Sequence, residues 1–203
     1  MITDYASLQS AIADYLGRSD LTTQIQTFIN QAEARIYRSL RVADMEKSLT
    51  GSLTNNTLAV PTDYQHMKEL YISTSDGLQP LERADLWWMR GHYPTQAAQS
   101  APIYYVREGA NFIFAPYPDS NYAVGGVYFA RLPSLSVTNT TNWLTIKNPD
   151  LIMAAALLEA STYLDDQPGV QYWTQRYGEI SQDVQQSDKL ERFSGSPLMM
   201  RVG

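Results

Sequence analysis

Few residues in this chain are of a type that does chemistry. Histidine occurs twice, at His66 and His92, and cysteine is absent. Both histidines fall in segments read as loops. Neither stands in the HxxxH or HExxH spacing that puts two imidazoles on one helical face for a metal. They are read as surface or packing residues. Without thiols there are no disulfides, thiolate metal centres or cysteine nucleophiles. Serine is plentiful, but no GxSxG elbow anchors a hydrolase triad. Asp165 and Asp166 are adjacent carboxylates beside Pro168, where a solvated helix end is the simpler reading than an acid–base pair. No GxGxxG or P-loop spacing cradles a phosphate. The sequence therefore assigns no catalytic, cofactor-binding or metal residue, and no enzyme is expected.

The bulk composition points the same way. The chain has 203 residues, 44% of them hydrophobic, with a net charge of −6 and a pI near 4.8. That is enough for one packed domain, or a domain with a lobe inserted in it. An acidic chain is poorly suited to hold nucleic acid, which needs clustered Lys and Arg to neutralise phosphates. The opening MITDYASLQS has neither a basic start nor an apolar run, so no secretory signal is expected. The longest apolar run, residues 151–158, is too short to cross a bilayer.

Residues 21–41 are the element the rest must serve. Ile25, Phe28, Ile29, Ala32, Ile36 and Leu40 recur at helical spacing and draw one apolar stripe. Ser19 or Asp20 is the expected cap. Residues 4–16 predict a shorter helix, capped by Thr3 or Asp4, ended by Gly17 and paired with the first. Residues 46–60 alternate around Asn55-Asn56 and predict a hairpin. A strand near residues 67–73 returns through Asp76-Gly77 to residues 78–81. Residues 82–90 predict a short helix halted by Gly91 and Pro94. A second hairpin joins residues 103–107 to 112–115. Residues 122–132 form a strand in which Gly125-Gly126 marks a bulge or a close backbone approach. After a polar loop at residues 133–141, Asn148-Pro149-Asp150 opens a helix that is apolar nearly all round. Its Leu151, Ile152 and Leu158 are the expected cover for Ile25, Phe28, Ile29, Ile36 and Leu40. Pro168-Gly169 breaks the chain. Residues 170–192 resume a helix whose inner face is Tyr172 or Trp173, Tyr177, Ile180, Val184 and Leu190.

This gives an α+β fold. Residues 1–45 and 147–192 form an antiparallel helical bundle, residues 46–146 an inserted β-rich lobe, and residues 193–203 a C-terminal arm. Trp87, Trp88, Tyr104, Tyr105, Tyr117, Tyr122, Tyr128 and Phe129 crowd the lobe. Such rings suit a saccharide platform, a protein contact or a core filled with large side chains. In the tail, Ser194-Gly195-Ser196 loosens the chain ahead of Pro197, Leu198, Met199 and Met200. Those flexible apolar side chains suit docking into a groove, and equally a frayed terminus.

Two long segments carry a likeness. They are YASLQSAIADYLGRSDLTTQIQTFINQAEARIYRSLRVADME at residues 5–46 and LPSLSVTNTTNWLTIKNPDLIMAAALLEASTYLDD at 132–166. Leu-Ala-Val-Pro-x-Asp-Tyr at 58–64 and Phe-Ile-Phe-Ala-Pro-Tyr-Pro at 112–118 add to it. Together they resemble the head–tail adaptor (connector) proteins of short-tailed bacteriophages. The resemblance implies a structural virion protein of the phage neck, made in the host cytoplasm. It implies a homo-oligomer, a dodecameric ring below the portal protein that extends the DNA channel and receives tail (nozzle or fiber) proteins. DNA would pass without specific binding, along a channel wall for which acidic residues would be apt. No membrane contact and no cofactor are implied. Phe193, Pro197, Leu198, Met199 and Met200 become the expected portal-docking residues. The competing reading is an aromatic-rich carbohydrate- or receptor-binding tail module.

Overall fold

In the computed structural model of the chain, the described residues are 1–53, 55–95 and 99–193. Among them the fold is α+β, with six α-helices and two four-stranded sheets. The chain divides into two compact units. One comprises Met1–Asp44 with the chain from Leu132 onward, and the other is Met45–Arg131.

The first unit holds all but one of the helices. Helix α1 (Tyr5–Leu16) starts in a capping box. The Asp4 carboxylate accepts from Ser7 N–H, and Ser7 Oγ accepts from Asp4 N–H. Gly17 ends it at φ 61°, the left-handed conformation that glycine adopts without a Cβ clash. Helix α2 (Thr22–Ser39) corrects the expected cap. Leu21 takes that position with no side-chain bond, because Asp20 is held by Arg18 through Nε–Oδ1 at 2.7 Å and Nη2–Oδ2 at 2.6 Å.

Helix α4 (Trp143–Lys147) lies between the polar loop at residues 133–141 and the helix expected from Asn148, where the sequence pattern assigns no element. Five residues are too few to show a period, but the Asn142/Thr145 capping box marks it. Helix α5 (Pro149–Tyr163) follows, with proline in its first turn. Its Leu151, Ile152, Ala154, Ala155, Ala156, Leu157, Leu158 and Ala160 are all buried. Helix α6 (Gln167–Phe193) corrects the expected break. The Asp166 carboxylate accepts from Gly169 N–H and its carbonyl from Val170 N–H, so Asp166 acts as the cap. Pro168 then sits in the first turn, where its missing N–H has no intrahelical partner to lose.

The second unit holds both sheets. Strand β1 (Glu46–Leu53) pairs antiparallel with β8 (Tyr122–Ala130). Strand β8 pairs on its other side with β3 (Tyr64–Thr74), and β3 with β4 (Gly77–Pro80). The second sheet runs β2 (Thr57–Ala59), β7 (Asn111–Ala115), β6 (Tyr104–Glu108) and β5 (Glu82–Arg83). The hairpin expected around Asn55-Asn56 is therefore not one. Strands β1 and β2 belong to different sheets because each finds a longer-range partner. Residues 82–90 also divide: Glu82–Arg83 is a strand parallel to β6, and helix α3 (Leu86–His92) begins only after Asp85. It runs through Gly91, which an exposed helix tolerates at a modest cost.

One core serves both sheets. Leu49, Leu53, Met67, Leu70, Ile72, Val124 and Tyr128 from one meet Tyr105, Phe112 and Phe114 from the other. At Gly126 a Cβ would stand 2.5 Å from the Glu69 carbonyl oxygen. This is a close backbone approach. The register irregularities lie on the partner strand β3, between Tyr64 and His66 and between Met67 and Glu69.

Candidate interaction surfaces

The residues expected to form the helical core are each buried. Ile25, Phe28, Ile29, Ile36, Leu40, Leu151, Ile152 and Leu158 are each at most 4% exposed. Helices α2 and α5 pack on each other. Arg35 Nη2 meets Glu159 Oε1 at 2.6 Å, and the Phe28 and Tyr163 rings lie 5.4 Å apart. Between them Thr23, Thr27, Phe28, Gln31 and Thr162 line a shallow groove of about 540 Å³.

A second bond set ties the polar loop at residues 133–141 to α2. Glu33 is fully buried. Its carboxylate accepts from Leu135 N–H at 3.1 and 3.2 Å and from Asn142 Nδ2 at 2.9 Å. A buried carboxylate is tolerated only with such donors around it. The sequence hid this, because Glu33 lies among the polar residues of a helix whose apolar stripe drew the attention.

Helix α6 departs from expectation. Ile180 and Ser181 are its only buried residues among those described, and Trp173, Tyr177 and Val184 are half-buried. Trp173 stacks edge-on with Tyr15 at 5.2 Å, and Tyr177 Oη bonds Ser39 Oγ at 2.8 Å. Tyr172 and Leu190 are 58% and 72% exposed, not an inner face. Phe193 ends the helix and is exposed. Pro197, Leu198, Met199 and Met200 lie outside the described residues.

In the β-rich unit the aromatic residues split. Tyr105, Tyr128 and Phe129 are buried. Around α3, Trp88 stacks on His92 at 4.2 Å and meets Tyr104 edge-on at 5.0 Å, while Trp87 is 84% exposed. The Asp85 carboxylate caps that helix, accepting from Trp87 and Trp88 N–H. Met89, Tyr93, Ile113, Ala115 and Tyr117, with the ion-paired Arg90 and Glu108, line a cleft of about 310 Å³.

Among the described residues the two histidines and the Asp165-Asp166 pair lie on separate elements. His66 and His92 lie on β3 and α3 instead of loops, and each ring Nδ1 bonds a backbone carbonyl, of Met67 and Trp88. Asp165 sits at φ 55° in the turn that leads to the Asp166 cap. Among the described residues no three His, Asp or Glu side chains converge as a metal site. One marked perturbation is structural. Burial, with the Asp63 carboxylate bonded to its hydroxyl at 2.9 Å, pushes Tyr128 up to about 12. Burial works to raise Asp63 too, but Lys47 at 2.5 Å and the Tyr128 hydroxyl outweigh it and hold that carboxyl below its ordinary range. No helix among the described residues is long and apolar enough to cross a membrane.

A family model described as SU10 adaptor protein matches residues 3–201. No curated protein matches the chain.

Proposed function

Because the chain belongs to the SU10 adaptor protein family, a family of structural bacteriophage proteins and not of enzymes, we propose that it is a head-to-tail adaptor of a short-tailed phage. In this reading it assembles as a closed ring, dodecameric by its resemblance to connector proteins, beneath the portal in the virion neck. The ring extends the DNA channel and offers tail proteins their attachment surface. The observation that carries the proposal is the family match across nearly the whole chain.

Several features support it. The helices drawn from both chain ends would be an antiparallel bundle: residue 28 of α2 lies by residue 163 of α5, and residue 35 by 159. In this reading residues 1–45 with 147–192 are the bundle, residues 46–146 the lobe and residues 193–203 the arm. In a cyclic ring each copy shows its neighbours two different faces, and the exposed Tyr172, Leu190 and Phe193 supply apolar surface for one. Phe193, Pro197, Leu198, Met199 and Met200 form the arm that docks on the portal.

Light scattering of the purified chain, alone and with its phage portal, tests this. Ring-sized particles and a portal complex are expected. A species that stays monomeric with portal present overturns the proposal. Deleting residues 193–203 should weaken portal binding while circular dichroism is unchanged. Undiminished binding removes the arm from the interface.

A further inference from the structure

We infer that the β-rich unit carries a receptor pocket for a carboxylate side chain, gripped by Arg83 and Arg107 where the two sheets part. Tyr64, Gln65, His66 and Met67 of β3 and Arg83, Tyr105, Arg107 and Phe112 of the other sheet line a partly open cavity of about 190 Å³. The register explains why two arginines meet there. Arg83 pairs with Tyr105, and Arg107 with Phe112, so both share the sheet face that builds the core. They are the cationic rim of an otherwise aromatic wall.

Among the described residues neither arginine makes an ion pair, although acids outnumber bases 21 to 15 in the chain. The carboxylates beside them in sequence are directed elsewhere. Glu82 pairs with Tyr104 on the opposite face, and Glu108 is held by Arg90. The Arg107 guanidinium carbon lies 5.2 Å above the Tyr64 ring, with Nε on the Gly109 carbonyl. Stacking holds the plane and leaves the far edge of the fork for a bidentate acceptor. Arg83 and Arg107 both bear electrostatically on Tyr64, and Arg83 also on Tyr105. The Gln65 carboxamide oxygen is buried with no hydrogen-bond partner.

A carboxylate fits better than a phosphate. It is planar and singly charged, and its methylene stem suits the walls of Tyr64, Tyr105 and Phe112. The residues that line the pocket include no lysine, the usual point charge of a phosphate site. The carboxylate is an Asp or Glu of a neighbouring virion protein. That identity rests on the adaptor role, whereas the pocket itself does not.

The test is amide-resonance NMR of the full-length chain titrated with N-acetylaspartate amide, with sodium phosphate and sodium chloride at equal ionic strength in parallel. Saturable shifts confined to residues 64–67, 83 and 105–107 are expected, with half-saturation on the order of a few millimolar. Arg83→Gln should weaken binding about tenfold. Arg107→Lys, which keeps the charge and the stem over Tyr64 but loses the fork, should do the same with the fold intact. Linear drift matching chloride, or variants that bind as tightly as the parent, overturns the proposal. Phosphate binding tenfold tighter than the carboxylate overturns it in favour of a phosphate-bearing partner. The titration reads the pocket without ring or portal, so its failure is distinct from failure of the adaptor role.

Discussion

Arg35 and Glu159, 124 residues apart in sequence, join α2 to α5 through one carboxylate oxygen that takes Nη2 at 2.6 Å and Nε at 2.8 Å. Glu159 is the more enclosed partner, its side chain 15% exposed against 38% for Arg35. Removing the arginine should therefore leave the worse orphan. Arg35→Ala is expected to cost about 1–2 kcal/mol in urea unfolding, with a coupling to Glu159→Ala of about 1 kcal/mol in a double-mutant cycle. Additive single effects would mean that the pair contributes nothing.

Glu33 should be less forgiving. Glu33→Ala strips the buried Leu135 N–H and the Asn142 amide of their acceptor, a loss of about 2–4 kcal/mol. Hydrogen exchange at Leu135 should accelerate more than at the α2 backbone. Equal acceleration at both would show that the loop was not held by this carboxylate.

Three glycines separate by what a methyl group would meet. Gly126→Ala drives Cβ into the Glu69 carbonyl at 2.5 Å, a backbone atom that cannot swing away, and should cost more than about 2 kcal/mol. Gly51→Ala meets only the tip of Leu58 and should be milder. Gly178, inside α6 with open space around it, should gain about 0.5–1 kcal/mol as alanine. Thermal unfolding of the three variants gives the order directly.

Tyr128 sets an alkaline limit. Its hydroxyl ionises at about 12 when folded, against an ordinary value of 10.0. The stability it contributes is whole below pH 10 and is lost as pH rises through 12. At about 1.4 kcal/mol per pH unit across that window, the loss is about 2–3 kcal/mol. Tyr128→Phe should flatten the decline between those values while giving up the Asp63 bond at neutral pH. An unchanged slope would assign the limit to other tyrosines.

The two adjacent tryptophans should behave differently. Trp87, 84% exposed, should become alanine within about 0.5 kcal/mol of the parent. Trp88 packs on His92 and Tyr104, so its loss should cost about 1–2 kcal/mol. A glycan array separates surface use from packing: binding that Trp87→Ala abolishes would favour the sugar-binding alternative, and an array without hits would count against it.

The sequence alone determined the parts whose causes are local. The stripe from Ile25 to Leu40 shows its period without help, and the all-round apolarity of residues 151–158 demands burial by neighbours. Gly17 and Asp76-Gly77 mark turns because only certain backbones close them. Tertiary structure decided what depends on partners far along the chain. Residues 46–60 alternate as two strands must, yet alternation does not name the neighbour, and β8 and β7 claimed one strand each. Pro168 reads as a break or a beginning according to whether Asp166 stands ready to cap. The donors that gather on Glu33 and the meeting of Arg83 with Arg107 follow from loop closure and sheet register. These are relations between distant residues, and no window of local sequence contains them.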